Sequence, residues 1–130
     1  MCQTAGVDFV HIEHDPALRR PNLVAAFRGW NDAGGAASLA AGYLRAATDA
    51  ERCAVIDSEP FIDYQQTRPT VQLVDGDVRR LDWPETEVYA SEKSDLVVVV
   101  GTEPNMRWRA FSGAIADIAR RYRVDLVITM

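Results

Sequence analysis

Apolar residues fall along this chain in short runs separated by turn-rich stretches. Leu23-Val-Ala-Ala-Phe27, Cys53-Ala-Val-Ile-Asp57, Leu96-Val-Val-Val-Val100 and Leu126-Val-Ile-Thr129 have strand length. Continuous apolar character over such a span is what a strand covered on both faces requires. Residues 7–13 predict an edge strand, and Pro16 and Pro21 bracket a loop. Between the first two runs, residues 33–47 carry Leu39, Tyr43, Leu44 and Ala47 at steps of three or four. That spacing predicts a helix, and its many alanines let it lie close to a sheet. Residues 106–123 predict a second helix with a stripe of Phe111, Ile115, Ile118, Ala119 and Tyr122. Arg120, Arg121 and Arg123 crowd its last turn, where they complement the helix dipole. In the middle, two alternating runs flank Asp75-Gly76, a dipeptide suited to a hairpin turn, and residues 87–91 extend the pattern as a third antiparallel strand.

These elements predict an α/β fold with a mixed sheet: two strand–helix–strand units, each with a right-handed crossover, and an antiparallel hairpin inserted between them. There is no repeat, linker or low-complexity segment, so residues 1–130 read as one domain. Two helices, each with one apolar stripe, are too few to cover both faces of up to eight strands. The domain is therefore expected to be incomplete at its C-terminal end, where only Met130 follows an apolar strand.

Composition narrows the function classes. With 48% apolar and 25% charged residues the chain has the balance of a soluble globular protein, and no apolar run approaches the roughly 20 residues of a membrane helix. No membrane partner is expected. The net charge of −5 carries no basic segment of the kind nucleic acid needs; Arg79-Arg80 and the arginines near residue 121 are short and flanked by carboxylates. Cys2 and Cys53 fit neither a disulfide framework nor a zinc pattern, which points to reduced thiols and a cytoplasmic protein. His11 and His14 lack a third ligand at convincing spacing, so no metal and no cofactor are expected.

In open α/β sheets, ligands gather outside the carboxyl ends of the strands, and three loops leave strands there. The first contains Gly29, Trp30, Asn31, Asp32, Gly34 and Gly35. Asn31 or Asp32 can cap the following helix, and such a helix start can hold an anion; a capped helix with Trp30 packed over it accounts for the same residues. It is not a phosphate loop, because Gly35-Ala36 stands where Lys-Ser/Thr is needed. The second carries Glu59, Asp63, Tyr64 and Arg68, and the third Glu103, Asn105 and Trp108. Glu103 is a candidate acid or base, paired with Arg28 or Arg68 in the plainer reading, and Asn105 is a candidate cap for the second helix. Trp30 and Trp108 suit protein recognition equally well.

Taken together, Phe27-Arg-Gly-Trp-Asn-Asp-Ala-Gly-Gly-Ala-Ala37, the segment from Asp63-Tyr64 to Arg68-Pro69, and Gly101-Thr-Glu-Pro-Asn-Met-Arg-Trp108 resemble the proteasome assembly chaperone 2 family in its actinobacterial branch. The resemblance implies a three-layer, phosphorylase/hydrolase-like α/β fold, a longer protein, and self-association or chaperoning of a protein partner. The candidate ligand- or partner-binding residues of the three loops are Gly29, Trp30, Asn31, Asp32, Gly34, Gly35, Glu59, Tyr64, Arg68, Glu103 and Trp108. The alternative is an enzyme acting on a small anionic metabolite at the strand carboxyl edge. The ATP-grasp or carboxylate–amine ligase label that some relatives carry finds no phosphate loop or lysine set here.

Overall fold

A computed structural model describes residues 9–76 and 78–130. Cys2 and the first two residues of the expected edge strand lie outside them. Eight strands form, β1 (Val10–Ile12), β2 (Asn22–Arg28), β3 (Glu51–Ile56), β4 (Thr70–Val74), β5 (Val78–Asp82), β6 (Thr86–Ser91), β7 (Leu96–Thr102) and β8 (Leu126–Thr129), with helices α1 (Ala36–Ala47) and α2 (Trp108–Arg121). A six-stranded sheet has the order β1-β3-β6-β7-β2-β8, and β4 and β5 form a separate hairpin. β2 lies between β7 and β8 and is parallel to both, whereas β6 is antiparallel to β3 and β7. The expected mixed α/β fold is therefore present.

The sheet is sandwiched between the helices, and alternation along the strands decides which residue meets which helix. Leu23, Ala25, Val97 and Val99 turn to one side, where Phe111, Ala114 and Ile118 of α2 and Tyr122 just after it meet them. Ala26 and Val98 turn to the other, against Ala37 and Ala41 of α1. Phe9, Phe61, Phe111 and Phe27 form a chain of edge-to-face pairs with centroids 5.2, 5.3 and 5.5 Å apart, which fastens the loop after β3 into the α2 layer. Cys53 is buried in that layer beside Tyr122, and burial pushes its thiol pKa up.

Four expectations change. The helix at residues 33–47 begins with a 3₁₀ turn, Ala33–Gly35, in which Gly34 and Gly35 adopt φ of 64° and 73°. Leu39 and Tyr43 face solvent, because α1 approaches the sheet through small alanines. β3 is not adjacent to β2, since β6 and β7 lie between them. Residues 87–91 do not extend the hairpin: β6 belongs to the main sheet, and its pairing with β3 and β7 leaves the hairpin with two free edges.

The hairpin is tight, with Asp75 and Gly76 at φ of 54° and 80° in its turn. Thr70, Gln72, Arg80 and Asp82 share the inner face by register and line a groove beside α1. Val71, Leu73, Arg79 and Leu81 share the outer face by register; Val71, Leu73 and Leu81 are 60%, 68% and 48% exposed, and Leu81 also borders the groove.

Candidate functional site

Two of the sequence-predicted loops and part of the third meet at the carboxyl ends of β2 and β7. They enclose a hollow of about 480 Å³ whose lining includes Gly29, Trp30, Thr67, Glu103, Asn105 and Trp108. Backbone bonds set its shape. The Glu103 N–H donates to the Arg28 carbonyl at 2.8 Å, continuing the β2–β7 pairing past the strand ends. The Glu103 carboxylate then turns back to accept from the Trp30 N–H at 3.2 Å. Gly29 makes this turn possible: its φ is 150°, and a Cβ there would lie 2.9 Å from that of Glu103.

The loop after β3 is tied in by Asn105. Its side-chain oxygen accepts from the Asp63 N–H at 2.8 Å, while its own N–H donates to the Phe61 carbonyl at 2.9 Å. Asn105 therefore does not cap α2; Arg107, in a left-handed conformation at φ 56°, precedes that helix without a side-chain cap. Asp63 accepts from the Gln65 N–H and the Gln66 amide, which holds its carboxyl below the usual aspartate range. Gln66 and Thr67 are the lining residues that sequence reasoning missed, and Asn105 was named there only as a helix cap. The signal for Asn105 was its place directly after Glu103-Pro104 at a strand end.

The other candidates are not in the hollow. Asp32 does cap α1 from a distance: its carboxylate accepts from the Ala37 N–H at 2.8 Å and the Ser38 hydroxyl at 2.5 Å. The Ser38 hydroxyl holds its pKa down. A protein carboxylate thus occupies the helix start that sequence reasoning offered to an anion. Trp30 does not pack over α1; it is fully exposed. Tyr64 hydrogen-bonds Ser58 at 2.9 Å and meets the Trp83 ring edge-to-face at 5.0 Å, so it faces the hairpin instead. Glu59, Arg68, Asn31, Gly34 and Gly35 do not line the hollow. Among the described residues Glu103 forms no ion pair with Arg28 or Arg68, no three His, Cys, Asp or Glu side chains cluster as metal ligands would, and no helix is long and apolar enough to cross a membrane.

The arginine clusters have local partners. Arg121 makes a bidentate bond to Asp15 at 2.8 and 3.0 Å, Arg120 pairs with Asp117 at 2.8 Å, and Arg80 with Asp82 at 2.7 Å.

Comparison with known proteins places this geometry. The chain is 40% identical to a proteasome-assembly chaperone homologue from Mycobacterium tuberculosis, with a TM-score of 0.75 over 82% of this chain and 47% of that one. It is 41% identical to a PAC2 family protein from Streptomyces avermitilis, with a TM-score of 0.71 over 84% and 48%. A proteasome activator from the archaeon Pyrococcus furiosus shares the fold at 21% identity, with a TM-score of 0.69 over 93% and 49%. The chain thus spans about half the length of these relatives. No curated protein matches it. A family model matches residues 26–130, a stretch that contains the three loops, both helices, the end of β2 and strands β3 to β8, and on that match the chain belongs to the PAC2 family.

Proposed function

We propose that this chain is a non-catalytic protein-binding or assembly module, and that it self-associates through the outer face of the β4–β5 hairpin. The observation that carries the reading is the hairpin's outer face, where Val71, Leu73 and Leu81 are exposed to solvent beside Arg79, while Thr70, Gln72, Arg80 and Asp82 turn to the groove. A two-stranded hairpin is marginal by itself and needs further strands or a covered apolar face. A second hairpin laid on this one supplies that cover. Trp30, fully exposed on a turn that Glu103 holds in place, offers an anchor of the kind found at interface centres. The mycobacterial relative is called a proteasome-assembly chaperone homologue, which supports an assembly role here. The cytoplasmic location expected from the sequence belongs to the same reading.

Sedimentation velocity on the wild-type chain and on Leu73→Glu tests it. The wild type should associate with rising concentration, and Leu73→Glu should remain monomeric with an unchanged circular dichroism spectrum. A wild type that is monomeric at high micromolar concentration, or a Leu73→Glu chain that associates equally well, refutes the hairpin as the contact.

The second reading, an enzyme on a small anionic metabolite, draws on the hollow at the strand carboxyl ends. It is the weaker one, because Asp32 is engaged at α1, Glu103 at the Trp30 N–H, and Glu59 is outside.

A further inference from the structure

A second cavity, of about 610 Å³, lies between α1, the inner face of the hairpin and the sheet surface of β6 and β7. Its volume falls in the range of small-molecule sites; it is an open groove beside α1 with a mostly polar wall. Ser38, Gly42 and Arg45 face it from α1, at positions i, i+4 and i+7 of one helical stripe. Gly42 leaves the middle of that stripe open, with nothing within 4 Å of where a Cβ would stand.

Four arginines line the cavity, Arg28, Arg45, Arg52 and Arg80. Two are already neutralised: Arg52 lies between Glu13 at 2.8 Å and Glu87 at 3.1 Å, and Arg80 pairs with Asp82. Arg28 and Arg45 form no ion pair among the described residues, and Glu85 is the one lining carboxylate likewise without a partner there. Arg45 lies over the Tyr89 ring, 4.6 Å from its centroid, a contact that fixes its guanidinium without neutralising its charge. The two residues belong to different ends of the cavity. Tyr89, under Arg45, is matched with Val98 of β7 and through it with Val24 of β2, four residues and about 13 Å of strand short of Arg28.

We propose that this cavity binds an elongated small-molecule dicarboxylate, one carboxylate on Arg28 and the other on Arg45. One guanidinium at each end matches one singly charged planar group at each end, in the two-pronged geometry that favours arginine. A phosphate dianion needs two cations at one place, which this spacing does not provide. The site is separate from the hairpin's outer face and does not depend on the assembly reading.

Isothermal titration of the full chain with linear dicarboxylates of graded length, and with monocarboxylates of matching length, tests the proposal. One dicarboxylate should bind at least about tenfold more tightly than its monocarboxylate counterpart. Arg28→Gln and Arg45→Gln should each remove that advantage, and Arg109→Gln, an exposed arginine elsewhere, should keep it. Gly42→Leu fills the cavity without touching either arginine and replaces glycine by a better helix former, so it should abolish binding without lowering the melting temperature. The proposal is overturned if no dicarboxylate binds at millimolar concentration, if chain length and second charge make no difference, if Arg109→Gln loses as much as the cavity variants, or if a folded Gly42→Leu chain binds like the wild type.

Discussion

Replacing Phe61 should damage both the fold and the hollow, and the structure sets the scale. Phe61 is fully buried, touches Phe9 and Phe111 edge-to-face, and presents its carbonyl to the N–H groups of Asn105 and Met106. Truncation of a buried phenylalanine to alanine costs about 3–5 kcal/mol, the lost transfer free energy plus the cavity left behind. Phe61→Leu keeps most of the volume and loses the two ring pairs, each worth about 0.5–1.5 kcal/mol, so about 1–2 kcal/mol is expected. With a urea m-value of about 2 kcal/mol/M for a domain of this size, the midpoint should fall by about 2 M for alanine and by about 0.5–1 M for leucine. Urea titration followed by far-ultraviolet circular dichroism measures both shifts. An alanine variant whose midpoint moves by less than about 0.5 M, equivalent to about 1 kcal/mol, would show that the phenylalanine chain does not fasten the loop after β3 to the core. Alanine and leucine variants of equal stability would show that the edge-to-face contacts contribute nothing beyond volume.

Gly29→Ala should cost about 1–3 kcal/mol, because alanine is strained at a φ of 150° and meets the Glu103 side chain; thermal melting measures it, and a Gly29→Ala, Glu103→Gly double variant should recover part of the loss. Trp30→Ala should leave the melting temperature unchanged, since the ring is fully exposed, and should weaken any partner complex that uses this turn. Stability should fall in acid. Asp32, held down by the Ser38 hydroxyl, Asp63 by the Gln65 N–H, and Asp95 by the Arg19 and Arg20 N–H groups all have folded pKa values below their unfolded ones. Their contribution is therefore present above about pH 4 and lost as pH falls through the folded values, and Asp95→Asn should flatten that limb of a stability profile. At the alkaline end the sign reverses: burial raises the pKa values of Tyr122 and Cys53, so their contribution is complete below the unfolded values and is lost as pH rises past about 8.5–10; Tyr122→Phe should delay the loss.

Periodicity made the strands legible because a run such as Leu96–Val100 has only one comfortable environment, a strand covered on both faces. The Asp75-Gly76 turn was legible for a related reason: few dipeptides accept two successive positive φ values. What periodicity does not carry is the choice of neighbour. Val71, Leu73 and Leu81 share one face by register, yet which side of a hairpin meets the rest of the protein is decided by contacts far along the chain. Leu39 and Tyr43 looked like core on the same rule, until Ala37 and Ala41 allowed a closer approach than large side chains permit. At the site, two of the loops were placed correctly by the strand-end rule. Asn105 was misread because a cap and a cross-loop tie use the same side-chain oxygen, and only the position of Asp63 distinguishes them.

The position of β2 between β7 and β8 has a consequence in time. Its first residue, Asn22, is matched with Leu96 in β7 and with Leu126 in β8, so both neighbours are made long after it. At about 5–20 residues per second, β2 emerges from synthesis about 4–15 s before its first partner exists. Throughout that interval the apolar segment Leu23-Val-Ala-Ala-Phe27 has no sheet to join. β2, an interior strand of the sheet, is therefore the strand that waits longest for a partner while the molecule is being made. Slowing translation between residues 28 and 96 should increase aggregation of the nascent chain.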